Sequence, residues 1–266
     1  THLYAGNGPL PVPESLHEAN DPSFFLCGYG SNRRSEPAAT FDEAARNKSW
    51  APRYQRVASL HEEGFTLTPF SPWLARMSSD NGKPHTRWDE MVTLLSNLLS
   101  TTDIEWSRGI VDGEAEFVLS NDHARVQFSA LSDGYRAYLS WLGDLLRHLV
   151  EVTPKSSRIA ETPGVVLIDE LDLHLHPSWQ RRLLGELSHA FPKLQFIVTS
   201  HSPIVASSVP RENVLIVDRS PRGPAEVHWP DKEYYGSSVD EVLTGDYFEL
   251  ESTLPPELRL QVEAEE

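Results

Sequence analysis

Three apolar runs mark the second half of the chain. Val165-Val166-Leu167-Ile168 leads straight into Asp169-Glu170. Phe196 to Val198 ends in Thr199-Ser200-His201, and Asn213 to Asp218 reads NVLIVD. In the first two, the apolar run fits a parallel strand buried on both faces, and the third is a further apolar strand. Phe24 to Cys27 predicts a shorter strand that ends in Gly28-Tyr29-Gly30-Ser31-Asn32-Arg33-Arg34, and Ala225 to Trp229 predicts an edge strand.

Helical periodicity occupies other stretches. Trp88 to Leu99 carries apolar residues at 88, 91, 92, 94, 95, 98 and 99, which is one helical face. A second helix follows Leu131-Ser132-Asp133-Gly134 through Tyr138, Leu142, Leu145, Leu146 and Leu149, with Ser132 placed to cap it and Asp133 favourable in its first turn. Pro177 suits the first position of a third helix reaching Ala190, closed by Phe191-Pro192. Between 103 and 129 the pattern turns to β, with the tetrad Ser120-Asn121-Asp122-His123 marking a hairpin or small meander. Residues 35–86 are irregular, with several prolines and scattered aromatics, and predict loops and short helices. Residues 1–22 are rich in proline, glycine and asparagine and predict a loop or linker.

Composition narrows the classes. Apolar residues at 39% and charged residues at 23% suit a globular domain. No apolar stretch approaches the ~18 residues needed to span a bilayer, and the start lacks the order of a signal peptide. A single cysteine, Cys27, excludes an internal disulfide and fits a reducing cytoplasm; its run FFLCG makes it a core residue. The net charge of −16, from 39 acids against 23 bases, repels a phosphate backbone. A direct DNA-binding protein is therefore disfavoured, and association with nucleic acid is expected to be indirect. Arg33–Arg34 and Arg181–Arg182 are local basic spots whose plain reading is a solvated face.

The chemistry gathers at strand ends. Ligands of open α/β sheets sit beyond the carboxyl ends of the strands. Asp169 and Glu170 stand at such an end. One carboxylate can hold the coordination shell of Mg²⁺, usually through water because that ion dehydrates reluctantly. The other can orient or deprotonate an attacking water. His201, at the end of the next run, can hydrogen-bond a phosphate oxygen or that water. Ser132 and Gly134 offer a hydroxyl, close backbone approach and the free N–H groups of a helix start. The plainer alternatives are an acidic loop start, a turn-capping His and an ordinary Ser cap. His174 and His176, beside Glu170 and Asp172, also raise the idea of a transition-metal site.

These pieces, in this order, resemble the C-terminal part of an ABC-type ATPase head, and more closely the RecF/SMC/OLD-like group of bacterial AAA ATPases of DNA repair and phage defence. VVLIDE resembles the Walker B strand, LSDGY the signature motif, LDLHLHP the D-loop region and SHSP the switch histidine. GYGSNRR resembles the YG-x-x-R segment of that group, and EYYGSSVDEVL a tail found in it. The resemblance implies an α/β fold: a partial P-loop NTPase-like head with a mostly parallel core sheet, a small β-meander and a helical signature subdomain. It implies Glu170 as catalytic glutamate, Asp169 as the metal carboxylate and His201 as sensor. Ser132 and Gly134 would contact the γ-phosphate bound to a partner subunit, with Asp172 in the D-loop at that interface. The cofactors implied are ATP and Mg²⁺. The partners implied are a second copy, closing as a homodimer around two nucleotides, and an effector such as a nuclease. Two departures stand out: Glu170-Leu171-Asp172 replaces the frequent Glu-Pro-Glu, and Asp133 stands where transporter relatives have Gly.

No G-x-x-x-x-G-K-[ST] loop occurs in the chain, so nothing in it cradles a β-phosphate. In the family that loop comes earlier than the segment where this chain begins. With no initiator Met, the expectation is a phosphate-binding lobe that lies outside these residues or belongs to another chain; a degenerate head is the other option. The expected organisation is a linker or truncated start at 1–22, an irregular, helical and meander segment at 23–130, a signature and Walker B lobe at 131–245, and an acidic tail at 246–266. The alternative function is a catalytically incomplete module that dimerises or docks an effector without hydrolysis.

Overall fold

The computed structural model describes residues 2–4, 9–11, 25–35, 52–78, 85–100, 102–120, 123–218 and 223–255. The expected acidic end beyond 255 lies outside them. The chain divides into two compact units, Thr1–Leu175 with Gly185–Thr199, and His176–Leu184 with Ser200–Glu266.

The first unit begins with β1 (His2–Tyr4) and β2 (Pro9–Pro11), which pair antiparallel where composition predicts a loop. Its core is a three-stranded parallel sheet of β3 (Phe25–Tyr29), β9 (Gly164–Ile168) and β10 (Leu194–Val198), with β9 in the centre. The register is flush. Phe25, Gly164 and Leu194 align at one end, and Tyr29, Ile168 and Val198 at the other. The expected parallel core sheet is therefore present, but β9 is not buried on both faces. Val166 and Ile168 are buried, whereas Val165 and Leu167 are only partly covered. On that same side of the sheet, Ile197 of β10 is 50% exposed. The apolar run identifies a strand correctly and overstates how fully it is covered.

The other face packs on α4 (Asp133–Val152), a 20-residue helix. Nearly every residue from Tyr138 to Leu149 is buried, so α4 is a central helix rather than an amphipathic surface one. Burying each of Leu139, Leu142, Leu145, Leu146 and Leu149 contributes about 1.5–3 kcal/mol. Its buried polar residues need partners. Asp144 accepts from Arg147 at 3.1 Å and lies 3.3 Å from His148 Nε2; the hydroxyl of Tyr29 donates to it at 3.3 Å. Gly143 is required by Phe70, whose ring lies 2.3 Å from where a Cβ would stand.

Residues 52–78 supply α1 (Pro52–Gln55), a 3-10 turn at Ala58–Leu60 over Gly28, β5 (Thr66–Leu67) paired parallel with β4 (Arg34–Ser35), and α2 (Phe70–Ser78). Next, α3 (Trp88–Leu99) matches its predicted span. Arg87, just ahead of it, donates to the carbonyls of Thr153, Pro154 and Ser157 and so closes the carboxyl end of α4. The expected meander is β6 (Ile104–Val111), β7 (Glu114–Leu119) and β8 (Arg125–Gln127). Its first turn is Asp112-Gly113, with φ of 52° and 81°, the pair of left-handed residues that a two-residue hairpin loop requires.

The helix expected over 177–190 is interrupted. It forms α5 (Pro177–Gln180) and α6 (Leu183–Ala190), with a turn at Arg181-Arg182. The second unit holds α5, α7 (Pro203–Ala206), β11 (Ile216–Asp218) antiparallel to β12 (Glu226–His228), and α8 (Val239–Leu243), which opens on a Ser238–Glu241 capping box. Among the described residues, no helix is long and apolar enough to cross a membrane.

Candidate functional site

The flush register of β3, β9 and β10 brings three loop starts to one sheet edge: Gly30-Ser31-Asn32-Arg33, Asp169-Glu170 and Thr199. Main-chain bonds continue the sheet past its last strand residues. Asp169 N donates to Tyr29 O at 2.8 Å, Thr199 N to Ile168 O at 2.9 Å, and Leu171 N to Thr199 O at 2.9 Å. The hydroxyl of Thr199 bridges the acidic pair. It donates to Asp169 Oδ1 at 2.6 Å and accepts from Glu170 N at 2.8 Å. In the sequence Thr199 is only the residue before Ser200 and His201. Its role needs two strands 30 residues apart to lie side by side.

Glu170 has φ 49°. A left-handed non-glycine residue costs of order 1–3 kcal/mol and persists only where its surroundings hold it. Here those surroundings include Arg33, whose guanidinium donates to the carbonyls of Asp169 and Glu170, the latter at 2.8 Å, and to Gly30 O at 3.3 Å. The reading of Arg33 as a solvated basic spot is therefore corrected: the side chain is half-buried and spent on main-chain carbonyls. Burial lowers its pKa, while the carboxylates of Asp169, Glu170 and Asp172 push it back up. Arg181 and Arg182 are exposed, as a solvated face requires.

After Glu170 the chain coils through two tight turns, Leu173 N to Glu170 O at 3.1 Å and Leu175 N to Asp172 O at 3.0 Å. Asp172 is half-buried, and its charge reaches Arg33. The carbonyl of His174 lies against the first turn of α4, where a Cβ on Gly134 would meet it at 2.4 Å. Gly134 is thus explained by close packing within the unit. Ser132 occupies the N-cap position, yet its side chain makes no capping bond; the expected cap is absent and the hydroxyl is exposed. A cavity of about 150 Å³ lies between this coil, Arg33 and α4, lined among others by Ser31, Tyr138, Trp141 and His174.

His201 belongs to the second unit and is exposed. It does not cap the turn after it. That cap is Ser202, whose hydroxyl accepts from Ile204 N and Val205 N and donates to Gln180 Oε1 at 2.7 Å. His176 Nδ1 accepts from Ser178 N at 3.3 Å as the cap of α5.

Whether the site suits its implied cofactor can be judged from the donors. One Asp169 oxygen is taken by Thr199, and among the described residues no cluster of three or more His, Cys, Asp or Glu side chains forms a metal cage. That donor set fits a Mg²⁺ whose remaining ligands are waters and phosphate oxygens, the usual manner of Mg²⁺ at nucleotide sites. It supplies no cradle for the phosphates themselves.

An in-register parallel sheet, a central helix and an acidic pair at the carboxyl edge make this an α/β protein with its candidate site at the strand ends. The chain belongs to the family described as "AAA domain, putative AbiEii toxin, Type IV TA system", whose model matches residues 42–207. It is 32% identical over 133 residues to the Retron Ec83 probable ATPase of Escherichia coli, a match covering 50% of this chain and 23% of that protein. It is 40% identical over 88 residues to the Retron Vc95 probable ATPase of Vibrio cholerae serotype O1 biovar El Tor, covering 33% and 17%. The Septu protein PtuA of Bacillus mycoides (strain KBAB4) is 26% identical over 237 residues, covering 88% and 30%. The chain thus spans less than a third of the length of each of these relatives. Among solved structures, the SMC head domain from Thermotoga maritima aligns with a TM-score of 0.39 and 20% identity over 61% of this chain and 52% of that one. That score adds no weight to the fold, which rests on the sheet and the family match.

Proposed function

We propose that the chain is the hydrolytic lobe of an ATPase head that closes with a second copy around Mg-ATP and gates or drives an effector such as a nuclease. The observation that carries this reading is the convergence of Asp169, Glu170 and Thr199 at the flush carboxyl edge of three parallel strands. Relatives named for the retron and Septu systems favour defence over repair as the setting.

In this reading Asp169, its carboxylate aimed by Thr199, would hold Mg²⁺. Glu170 takes the proton of the attacking water, its backbone held in the left-handed turn by Arg33 and Thr199. His201 keeps the sensor role that the sequence resemblance implies. The exposed Ser132 hydroxyl, with the first N–H groups of α4 beside Gly134, meets the γ-phosphate held by the partner copy, and Asp172 faces that interface. Bound Mg²⁺ supplies charge neutralisation of the phosphates. The phosphate loop comes from outside these 266 residues, because the sequence contains none.

The missing loop also favours a second reading, a head-like module that docks an effector without hydrolysis. Glu170→Gln in the intact protein separates the two. Lost turnover with retained Mg-ATP supports the hydrolase, whereas unchanged turnover and unchanged protection of cells sink it.

A further inference from the structure

We infer that Arg33 is a positioning residue for Glu170, holding the catalytic carboxylate's backbone in its left-handed turn from a loop on the neighbouring strand. The inference rests on the hydrolase reading of Glu170 and deepens it.

In an extended strand successive carbonyls point to opposite sides, so one side chain cannot reach two in a row. Here the carbonyls of Asp169 and Glu170 both receive N–H groups of the Arg33 guanidinium. They converge because Glu170, with φ 49°, turns the chain between them. The same guanidinium donates to Gly30 O at 3.3 Å, which ties the fork to its own loop and gives it a fixed base. On the opposite side Glu170 N donates to the Thr199 hydroxyl at 2.8 Å. Both peptide groups of Glu170 are therefore held, each from the loop after β3 and from the end of β10.

The chemistry explains why the residue is arginine. Two carbonyls on adjacent peptides need two donors at a fixed separation, which a planar guanidinium presents and an ammonium does not. The charge is supported in its half-buried place by the carboxylates of Asp169, Glu170 and Asp172. Three of the five N–H groups of the guanidinium go to main-chain oxygens, which places Arg33 on the protein's own backbone.

The test uses the intact protein with the substitutions Arg33→Lys and Arg33→Gln, each alone and combined with Glu170→Gln. Turnover of Mg-ATP is expected to fall about 100-fold in both single variants, the scale of loss for a catalytic group displaced by about 1 Å, while the Kd for Mg-ATP changes less than about threefold. In the Glu170→Gln background, adding either substitution is expected to cause no further loss. Thermal melting checks that the variants fold; if Arg33→Gln does not, Arg33→Lys keeps the charge, loses the fork and carries the same expectation. A Kd that weakens as much as turnover falls, or a full additional loss beyond Glu170→Gln, overturns the inference, because Arg33 would then serve the nucleotide directly. Turnover lost with Glu170→Gln but intact with both Arg33 variants overturns this inference alone. Turnover intact with Glu170→Gln overturns the hydrolase reading and this inference together.

Discussion

At the scale of single residues, the buried charge of Asp144 is the most exacting feature of the molecule. It lies 4% exposed beneath β3, close to Arg147 and His148, and accepts a hydrogen bond from the Tyr29 hydroxyl. Burial alone would raise its pKa, but the Arg147 guanidinium, with His148, overrides burial and holds the carboxyl well below the usual carboxylate range. A carboxyl whose folded pKa is depressed stabilises the fold fully above its unfolded pKa of about 3.9 and loses that contribution as pH falls below it. Asp144→Asn leaves Arg147 buried without this partner, a defect of about 3–5 kcal/mol. Urea unfolding at pH 7 should show that gap between the two proteins, and at pH 3 the gap should be clearly narrower. An equal gap at both pH values would mean that Asp144 is not ionised in the native state. Nearby, burial pushes the Cys27 thiol up to about 12, which leaves it inert at neutral pH.

At the scale of elements, the first turn of α4 and the coil after Glu170 are in direct contact through Gly134. Glycine to alanine inside a helix normally stabilises by about 1 kcal/mol. Here the added methyl would stand 2.4 Å from the carbonyl oxygen of His174, which is main chain and cannot swing aside. Overpacking of that kind costs about 1–3 kcal/mol, so the sign should reverse. Gly134→Ala is expected to lower stability in thermal or urea unfolding, whereas Gly185→Ala on α6, with nothing near its Cβ position, is expected to be neutral or stabilising. A stabilised Gly134→Ala would show that α4 does not sit this close to the coil. The comparison matters for function because the same helix start carries Ser132, whose exposed hydroxyl caps nothing and can face a ligand.

At the scale of the molecule, local pattern locates the parallel strands, α3, α4, the meander and the acidic pair, because each is a short-range signal of periodicity or of the polar residues that end an apolar run. Long-range partners escape it. Arg33 lies 136 residues from Asp169 and Thr199 lies 30 from it, and nothing in their own neighbourhoods says what they bind. The break between α5 and α6 falls at Arg181-Arg182, two good helix formers that give no warning. The half-covered face of β9 escapes for a related reason: an apolar run reports what a strand can bury, not what lies against it. Charge is the whole-molecule property that the structure strengthens. Against a net −16, the arginines that could form basic patches are partly consumed internally. Arg33 and Arg87 donate to carbonyls, while Arg147, Arg125 and Arg136 pair with Asp144, Glu116 and Asp133. The 23 bases are outnumbered by 39 acids, and that acidic excess opposes the approach of a duplex. This chain alone is therefore expected to bind duplex DNA more weakly than about 10⁻⁴ M at physiological salt, the weak end of non-specific binding. Fluorescence anisotropy from low to physiological salt checks this. A log–log salt slope near zero fits the charge argument, while a slope of several units would reveal a basic surface that these pairings do not account for and would make nucleic acid a direct partner.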